Sequence, residues 1–450
     1  MIARAETATA NLAELLDSGS WNAFRKYVVT LVALALLFDG LDSQVLGLAI
    51  PALMIDWHVT RADLAPVVAA GLIGMSIGTV LGGWVADRVG RKWGLIFSVS
   101  LFGAATAASA SVDSIGALGM ARAVAGLGLG GALPAATAMI AEFSPVRSRA
   151  VGISIGMVTI PLGSMVGSLI SAAIIEELGW RTLFAIGGIL PVALAIVFVW
   201  AMPESPAFLL RWPGRRVELM RLLARCGCAI EQHAGVLPQP ATLERPMVAV
   251  GLFGIDVRAD TFRAWCAFFL TMLALYTLVS WAPAMLAAER FELSFTGSAM
   301  AAFALGGIAG GLGSGWMMRS LGSRVSQLIL GGGGAVLALI LTAMFVGGSP
   351  GATVVLALIA VLGFGITGMQ NSMYVLTAHL YSSAVRGTGI GTALAFGRLG
   401  AVASAFTGAL SLDLGGGPAF FAFIALSLLL AMIAAATVGR PLLPHSRESA

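Results

Sequence analysis

Long apolar runs separated by short polar breaks extend along the chain from residue 27 to residue 438. A helix of about 20 apolar residues crosses the hydrocarbon core of a bilayer, which is about 30 Å thick. The alternating strands of a transmembrane β-barrel are not seen. The pattern predicts twelve transmembrane helices, at 27–49, 62–85, 93–112, 115–141, 150–175, 181–202, 262–287, 296–318, 324–347, 352–379, 387–411 and 417–438.

The predicted helices form two sets of six around one long polar connection. The sets span 27–202 and 262–438, and the connection is 203–261. A segment at 1–26 precedes the first helix, and a tail at 439–450 follows the last. We interpret the chain as an all-α polytopic membrane protein made of two six-helix bundles. Its composition agrees, because 58% of residues are hydrophobic and 11% charged, against about 25% charged in soluble domains.

Positive charge is distributed unevenly between the two sides of the predicted helices. If odd-numbered helices run outward, 21 of the 26 Lys and Arg residues lie on the side of both termini. The positive-inside rule then places both termini in the cytoplasm, as in a multi-pass protein of a bacterial inner membrane. The same bias explains the pI of 9.3 without a nucleic-acid partner. No cleavable signal peptide is predicted, because the first 26 residues lack an apolar core.

The polar connection contains "RRVELMRLLARCG", which has helical spacing with arginines along one face. We interpret it as a cytoplasmic linker near anionic lipid, since a separate catalytic domain needs more residues. The three cysteines, Cys226, Cys228 and Cys266, supply neither a disulfide framework nor a set of zinc ligands. We expect no metal and no cofactor.

The two halves resemble each other in sequence. "GGWVADRVGRK" at 82–92 follows the second helix, and "GSGWMMRSLGSR" at 313–324 follows the eighth. "EFSPVRSRAVG" likewise matches "HLYSSAVRGTG", which aligns Glu142 with His379. Parallel repeats of this kind are typical of transporters whose halves rock around a central site.

Several of these segments resemble signatures of the major facilitator superfamily. "GGWVADRVGRK" is similar to its loop signature G-x-x-x-D-R-x-G-R-K, and "RAVAGLGLGGA" at 122–132 is similar to its fourth-helix motif. "PESPAFL" at 203–209 resembles an element of sugar and organic-ion porters, whereas "DGLD" at 39–42 and "GRLGA" at 397–401 resemble the aromatic acid:proton symporters. The resemblance implies a monomer with the major facilitator fold. It also implies import of a small aromatic carboxylate, such as a hydroxybenzoate, with protons by alternating access.

Two aspartates, Asp39 and Asp42, lie near the middle of the first predicted helix, on one face and about one turn apart. A charge at the bilayer centre costs about 2.5–3.5 kcal/mol, so we expect the pair to face an internal cavity. Burial and mutual repulsion favour the protonated form. We interpret the pair as a proton-coupling site, with Asp42 also a candidate substrate contact. The alternative is a structural pair bonded to the helix backbone or to Arg122.

Two arginines, Arg122 and Arg398, also lie within predicted helices. Arginine keeps its proton in proteins, so each needs an anionic partner. Arg398 aligns with Pro161 in the first half, and its guanidinium suits a carboxylate. We therefore predict that Arg398 binds the substrate, the alternative being an ion pair with another helix. For Arg122 the resemblance implies proton coupling.

Aromatic and amide side chains in the second half are candidates for the remainder of the substrate site. Rings stack on a ring-shaped substrate, and amides can bind its hydroxyl groups, although each residue has a packing role as its alternative. These candidates are Tyr276, Trp281, Phe364, Gln370, Asn371, Tyr374 and Phe396.

Charged residues at the predicted cytoplasmic ends of the helices are candidates for a conformational latch. The positive-inside rule explains the basic residues but not Asp87. The resemblance implies that these groups break and reform contacts between inward-open and outward-open states. Together with two glycines of the loop signature, the predicted set is Gly83, Asp87, Arg88, Gly90, Arg91, Lys92, Glu142, Arg149 and Arg386.

Other functions stay open on the sequence alone. The cargo could be muconate or another organic acid, and "PESP" also suits a sugar or organic cation. A transporter-like receptor is a further alternative. An intramembrane enzyme is not expected, because the chain contains neither H-E-x-x-H nor G-x-S-x-G. "GLGLGG" at 126–131 has dinucleotide-site spacing, but within an apolar helix it indicates close helix contact.

Overall fold

Helices form the regular secondary structure in the computed structural model, and no strand occurs among the residues that it describes, 16, 19–228, 253–254, 257–348, 350–381 and 385–439. A π-helical turn, Leu328–Gly332, lies between the helices Leu293–Gln327 and Gly333–Val346. The helices are α1 (Ala23–Trp57), α2 (Arg61–Val89), α3 (Arg91–Ser109), α4 (Ile115–Phe143), α5 (Val146–Ala201), α6 (Pro206–Leu210), α7 (Arg216–Arg225), α8 (Arg258–Ala288), α9 (Leu293–Gln327), α10 (Gly333–Val346), α11 (Ala352–Leu380) and α12 (Arg386–Ala436).

Eight of the helical stretches in the described chain are long and apolar enough to span a membrane. Three of them contain 50 to 56 residues. A straight helix rises 1.5 Å per residue, so a stretch of this length would be more than twice the bilayer core thickness of about 30 Å. Each of these stretches must therefore turn back on itself. Non-helical glycines divide these stretches at Gly179, Gly322 and Gly415–Gly416.

The breaks fall in the polar gaps that the sequence predicts between paired helices. Gly179 and Gly322 have φ of 73° and 77°, in the left-handed region that glycine adopts without a steric penalty. Counting both arms of each broken stretch gives eleven passes. The 19-residue α3 is not among the eight long apolar stretches, so the total of twelve stays a prediction.

The two predicted bundles correspond to α1–α5 and α8–α12, and the predicted linker contains α6, α7 and the start of α8. These domain boundaries stay predictions. Parts of the predicted tails and linker lie outside the described residues, namely 1–15, 17–18, 229–252, 255–256 and 440–450.

The halves meet most closely at the end of the bundle where α1 turns into α2, which we call the Arg61 end. Arg61 Nη1 lies 3.2 Å from Asp413 Oδ1 of α12, and the Ser294 backbone N–H donates to Glu176 at 3.1 Å. A buried apolar cluster includes residues of both halves. A second cluster contains only residues of the first half and the segment up to Cys228, and it extends to the opposite end, which we call the Arg91 end.

Helix α1 is held against α5 by glycines that allow the two backbones to touch. A Cβ atom on Gly40 would overlap the Ile160 carbonyl, and one on Gly163 would overlap the Leu37 carbonyl. Ser164 of α5 reinforces the contact, because its hydroxyl donates to the Gly40 carbonyl at 3.0 Å and lies 3.2 Å from the Ser43 hydroxyl of α1. This contact fixes the rotation of α1 and therefore the direction of its aspartates.

We predict that Gly163→Ala lowers the unfolding free energy by about 1–3 kcal/mol, because the added methyl group must separate α1 from α5. The matched control is Gly315→Ala in α9, where a Cβ meets no atom within 4 Å. That control should be neutral or slightly stabilising. Unfolding of the purified protein in detergent measures both, and equal midpoints for the two variants would contradict the close contact.

Candidate functional site

A cavity between the two halves contains both aspartates of α1. It encloses about 660 Å³ of empty space, part of it continuous with solvent. Helices α1, α2, α4 and α8 supply its walls. Its apolar lining consists chiefly of Leu46, Val68, Leu72, Met75, Ala125, Leu129 and Val279.

Asp42 and Arg122 form a buried ion pair at one wall of this cavity. Arg122 Nη1 lies 3.4 Å from Asp42 Oδ2. Thr106 of α3 connects the two side chains, because its hydroxyl donates to Asp42 Oδ1 at 2.5 Å and accepts from Arg122 Nη2 at 2.7 Å. Arg122 also donates to Ser109 at 3.4 Å and lies 5.1 Å from the Phe184 ring centroid. Asp42 is therefore the anionic partner that a buried Arg122 requires.

Asp39 is buried in the same cavity but has a different environment. Only 4% of its surface is exposed, and it makes no hydrogen bond or ion pair with any residue that the structure describes. The charges of Arg398 and Asp42 lie close enough to act on its carboxyl group. Asp39 is therefore the less constrained of the two acids.

Arg398 approaches the cavity from α12, in the second half. Its Nη1 lies 3.0 Å from Met75 Sδ and 3.4 Å from the Tyr276 hydroxyl. Both of those residues line the cavity. Among the described residues, no carboxylate lies within ion-pair distance of Arg398, and its buried Nε has no hydrogen-bond partner. The guanidinium therefore retains donors for an anion in the cavity.

The predicted aromatic contacts fall in different places. Tyr276 lines the cavity. Tyr374 lies near Arg398 and packs edge-on against Phe268. Trp281 is fully buried beside Gly408 of α12. Phe396 is 39% exposed and stacks on Trp265 with centroids 4.1 Å apart.

The predicted amides and Phe364 are not among the described residues that line the cavity. Gln370 is near Tyr374, but its buried Oε1 and Nε2 lack a hydrogen bond of normal geometry within the described chain. Asn371 faces Gly311 of α9, and Phe364 packs against the large apolar cluster. Of the seven predicted aromatic and amide contacts, only Tyr276 is among the cavity-lining residues that the structure describes, and all seven roles stay predictions.

Comparison with known proteins identifies the family. The family model described as Major Facilitator Superfamily matches residues 32–405. The chain belongs to the Major Facilitator Superfamily. The resemblance found in the sequence is therefore confirmed, and with it the all-α major facilitator fold.

Relatives in this superfamily carry names of transporters rather than enzymes. The gallate transporter of Pseudomonas putida is 30% identical over 429 residues, which cover 95% of this chain and 94% of the relative. The 4-hydroxybenzoate transporter PcaK of Pseudomonas putida is 34% identical over 399 residues, with 86% of each chain covered. Among solved structures, the inward open conformation of the xylose transporter XylE from E. coli has a TM-score of 0.74 at 18% identity. That match covers 94% of this chain and 98% of XylE, and it supports the fold.

The superfamily's loop signature joins three helices at the Arg91 end. Arg91 Nη2 lies 3.1 Å from Asp87 Oδ1 at the end of α2, and its Nη1 lies 3.1 Å from Glu142 Oε1 at the end of α4. Glu142 Oε2 accepts from the Ser205 hydroxyl at 2.5 Å and from the Ala207 backbone N–H at 3.2 Å. The signature is thereby tied to the "PESP" segment.

Glu204, also in "PESP", binds the start of α3. Its Oε1 accepts from the backbone N–H groups of Lys92 at 3.0 Å and Ser205 at 2.8 Å. Burial raises the pKa of Glu204 above its ordinary value. Gly90, with φ of 108°, lies directly against this carboxyl group, where a Cβ would not fit.

The other predicted latch residues make separate contacts. The Arg88 guanidinium lies 3.8 Å from the centroid of the Trp84 ring. Lys92 Nζ donates to the Val199 carbonyl at 2.8 Å, and Arg149 Nε donates to the Ala141 carbonyl at 3.1 Å. Gly83 faces Pro134 across α2 and α4, whereas the side chain of Arg386 lies outside the described residues. The latch role of the whole set stays a prediction.

Sequence reasoning missed the polar groups that connect the candidate residues. Thr106 and Ser109 are small polar residues in "AATAASAS", which is typical of close helix contact and gives no sign of an ion-pair bridge. Met75 looks like any apolar residue of α2. The sequence did offer one signal for Ser205 and Glu204, because "PESP" places an acid beside a helix-capping serine.

We predict strong coupling between Asp42→Asn and Arg122→Gln. Asp42→Asn leaves Arg122 as a buried charge and should cost about 3–5 kcal/mol of unfolding free energy, whereas the double variant removes both charges and should cost less than the sum. The matched control is the exposed pair Asp113 and Arg181, 2.6 Å apart, whose coupling should stay below about 1 kcal/mol. Denaturation of the four variants of each cycle measures both couplings, and additive losses at Asp42 and Arg122 would refute the ion pair.

Proposed function

We propose that the protein is a proton-coupled symporter that imports a small aromatic carboxylate, such as a hydroxybenzoate, across a bacterial inner membrane by alternating access. The relatives named as transporters of gallate and 4-hydroxybenzoate support this substrate class. The apolar cavity wall and the Tyr276 ring suit an aromatic ring. The carboxylate of such a substrate suits Arg398 of the second half, which has no ion-pair partner among the residues that the structure describes.

The observation that carries the proposal is the balance of charge in the cavity. The charges of Asp42 and Arg122 neutralise each other. One further acidic side chain, Asp39, and one further cationic side chain, Arg398, then remain, and their charges interact across the halves. If a carboxylate binds Arg398 while Asp39 stays ionised, the buried site carries a net negative charge. Protonation of Asp39 removes that charge, so binding of anion and proton favour each other.

The carboxyl group of Asp42, in its ion pair with Arg122, is the second proton-binding site of the proposal. Protonation of Asp42 would weaken its attraction for Arg122, and Thr106 would then bridge a neutral acid and a free guanidinium. Asp39 and Asp42 are therefore both proton-coupling residues in the proposal, with Arg122 as the group that senses the charge of Asp42.

Alternating access follows from the way the halves contact each other. The Arg61 end is closed by Arg61 with Asp413 and by Ser294 with Glu176, as well as by shared apolar contacts. We infer that this conformation faces the cytoplasm, which the positive charge at the Arg91 end identifies. Both termini then lie in the cytoplasm, and the contacts of Arg91 with Asp87 and Glu142 would rearrange when the halves rock. The two halves form the complete cavity within one chain, which supports a monomer.

We predict that Asp39→Asn or Asp42→Asn abolishes accumulation of a labelled hydroxybenzoate driven by a proton gradient, while the variants still insert into the membrane. Each amide is permanently neutral and cannot release a proton to the cytoplasm. Uptake into proteoliposomes with an imposed pH gradient is the measurement.

The control for this experiment is Asp113→Asn. Asp113 is exposed, and neither it nor its partner Arg181 is among the residues that line the cavity, so gradient-driven uptake should be unchanged. Fully gradient-dependent accumulation by both Asp39→Asn and Asp42→Asn would eliminate the proton-coupling proposal.

We predict that Arg398→Lys raises the KM for an aromatic carboxylate about tenfold or more, because an ammonium group loses the forked geometry that binds a carboxylate. Competition for uptake by aromatic acids, muconate, sugars and amines tests the substrate class in the same assay. Inhibition by sugars or amines rather than acids would assign another cargo.

A further inference from the structure

A second cavity lies at the Arg91 end, away from the transport site. The start of α3, the end of α5 and one side of α7 enclose it, with about 1,020 Å³ of empty space partly open to solvent. It shares no described lining residue with the central cavity. The transport cycle as proposed does not use it.

The charged groups of this cavity leave an excess of positive charge. Arg215 binds Glu218 through two hydrogen bonds of 2.9 Å, and Glu204 is held by backbone N–H groups of α3 and "PESP". Arg221 and Arg225 lie one turn apart on the same side of α7 and form no ion pair with a described residue. Lys92 completes the set of four basic side chains against two acids.

Two exposed tryptophans line the cavity. Trp93 is 45% exposed and Trp200 is 79% exposed, and each lies at the end of a helix that enters the apolar part of the molecule. Tryptophan is enriched at the level of lipid headgroups. The buried face of α7, formed by Leu219, Leu222 and Leu223, holds the arginines at the same level.

We propose that this cavity binds the phosphate group of an anionic glycerophospholipid from the adjacent leaflet. Arg221 and Arg225 bind the phosphate oxygens, and Trp93 and Trp200 contact the start of the acyl chains. The same phosphate chemistry occurs in soluble phosphate, but only a lipid uses the tryptophan side of the cavity. A bound lipid bridges α3 and α7 and so holds the segment between α5 and α8 against the first half.

The test is lipid binding to the full-length purified protein in detergent, measured by native mass spectrometry. Phosphatidylglycerol should bind more tightly than phosphatidylcholine with identical acyl chains. R221Q/R225Q should bind phosphatidylglycerol about 25-fold more weakly, and R221Q or R225Q alone about fivefold more weakly. The single variants carry the test if the double variant is not recovered folded. The matched control is R216Q, an exposed arginine of α7 that does not line the cavity, which should bind like the wild type.

Three results would overturn the assignment. Equal binding of phosphatidylglycerol to the wild type and R221Q/R225Q shows that the lipid lies elsewhere. An equal loss in R216Q shows a general effect of surface charge. Complete competition by inorganic phosphate at equal concentration assigns the cavity to a soluble anion. Transport assays are not part of this test, so its failure leaves the proposed symport untouched.

Discussion

The structure depends on the high cost of an unbalanced charge on side chains that are buried among apolar helices. Asp42 and Arg122 satisfy this constraint within the first half, because they lie 3.4 Å apart with Thr106 bonded to both. Asp39 and Arg398 form no ion pair in the part of the chain that the structure describes, and they lie on opposite sides of the boundary between the halves. The first pair therefore belongs to one rigid bundle, whereas the balance of the second pair depends on the relative position of the halves and on what lies between them.

Helix contacts provide the rigidity that such an arrangement needs. The direct contact of α1 with α5 at Gly40 and Gly163 leaves little freedom for α1 to rotate. The apolar cluster confined to the first half, together with the attachment of "PESP" to Glu142 and Lys92, makes that half and its following segment one unit. A unit of this kind can tilt as a whole without disturbing Asp42 and Arg122.

The sequence was sufficient to predict the helical architecture and the central charges, but not the faces of the helices. The breaks at Gly179 and Gly322 fall where polar gaps were visible, and Asp39, Asp42 and Arg122 were identifiable because charge is rare at membrane depth. Trp281 and Phe396 show why the remainder was not predictable. One is fully buried and the other is 39% exposed, yet both lie in helices that are apolar all round, since lipid and protein interior accept the same residues. Thr106 was missed for a different reason, because a lone hydroxyl in a helix usually bonds its own backbone.

The closed Arg61 end has a consequence for the speed of the carrier. Its ion pair between Arg61 and Asp413 is partly exposed, with side-chain exposures of 21% and 47%, and such pairs contribute only about 0–1 kcal/mol. The barrier to reopening this end is then set mainly by separating the apolar surfaces of the two halves. The hydrophobic interaction between such surfaces weakens on cooling near room temperature. Ionic strength should therefore affect the opening rate of this end little, whereas temperature should affect it more.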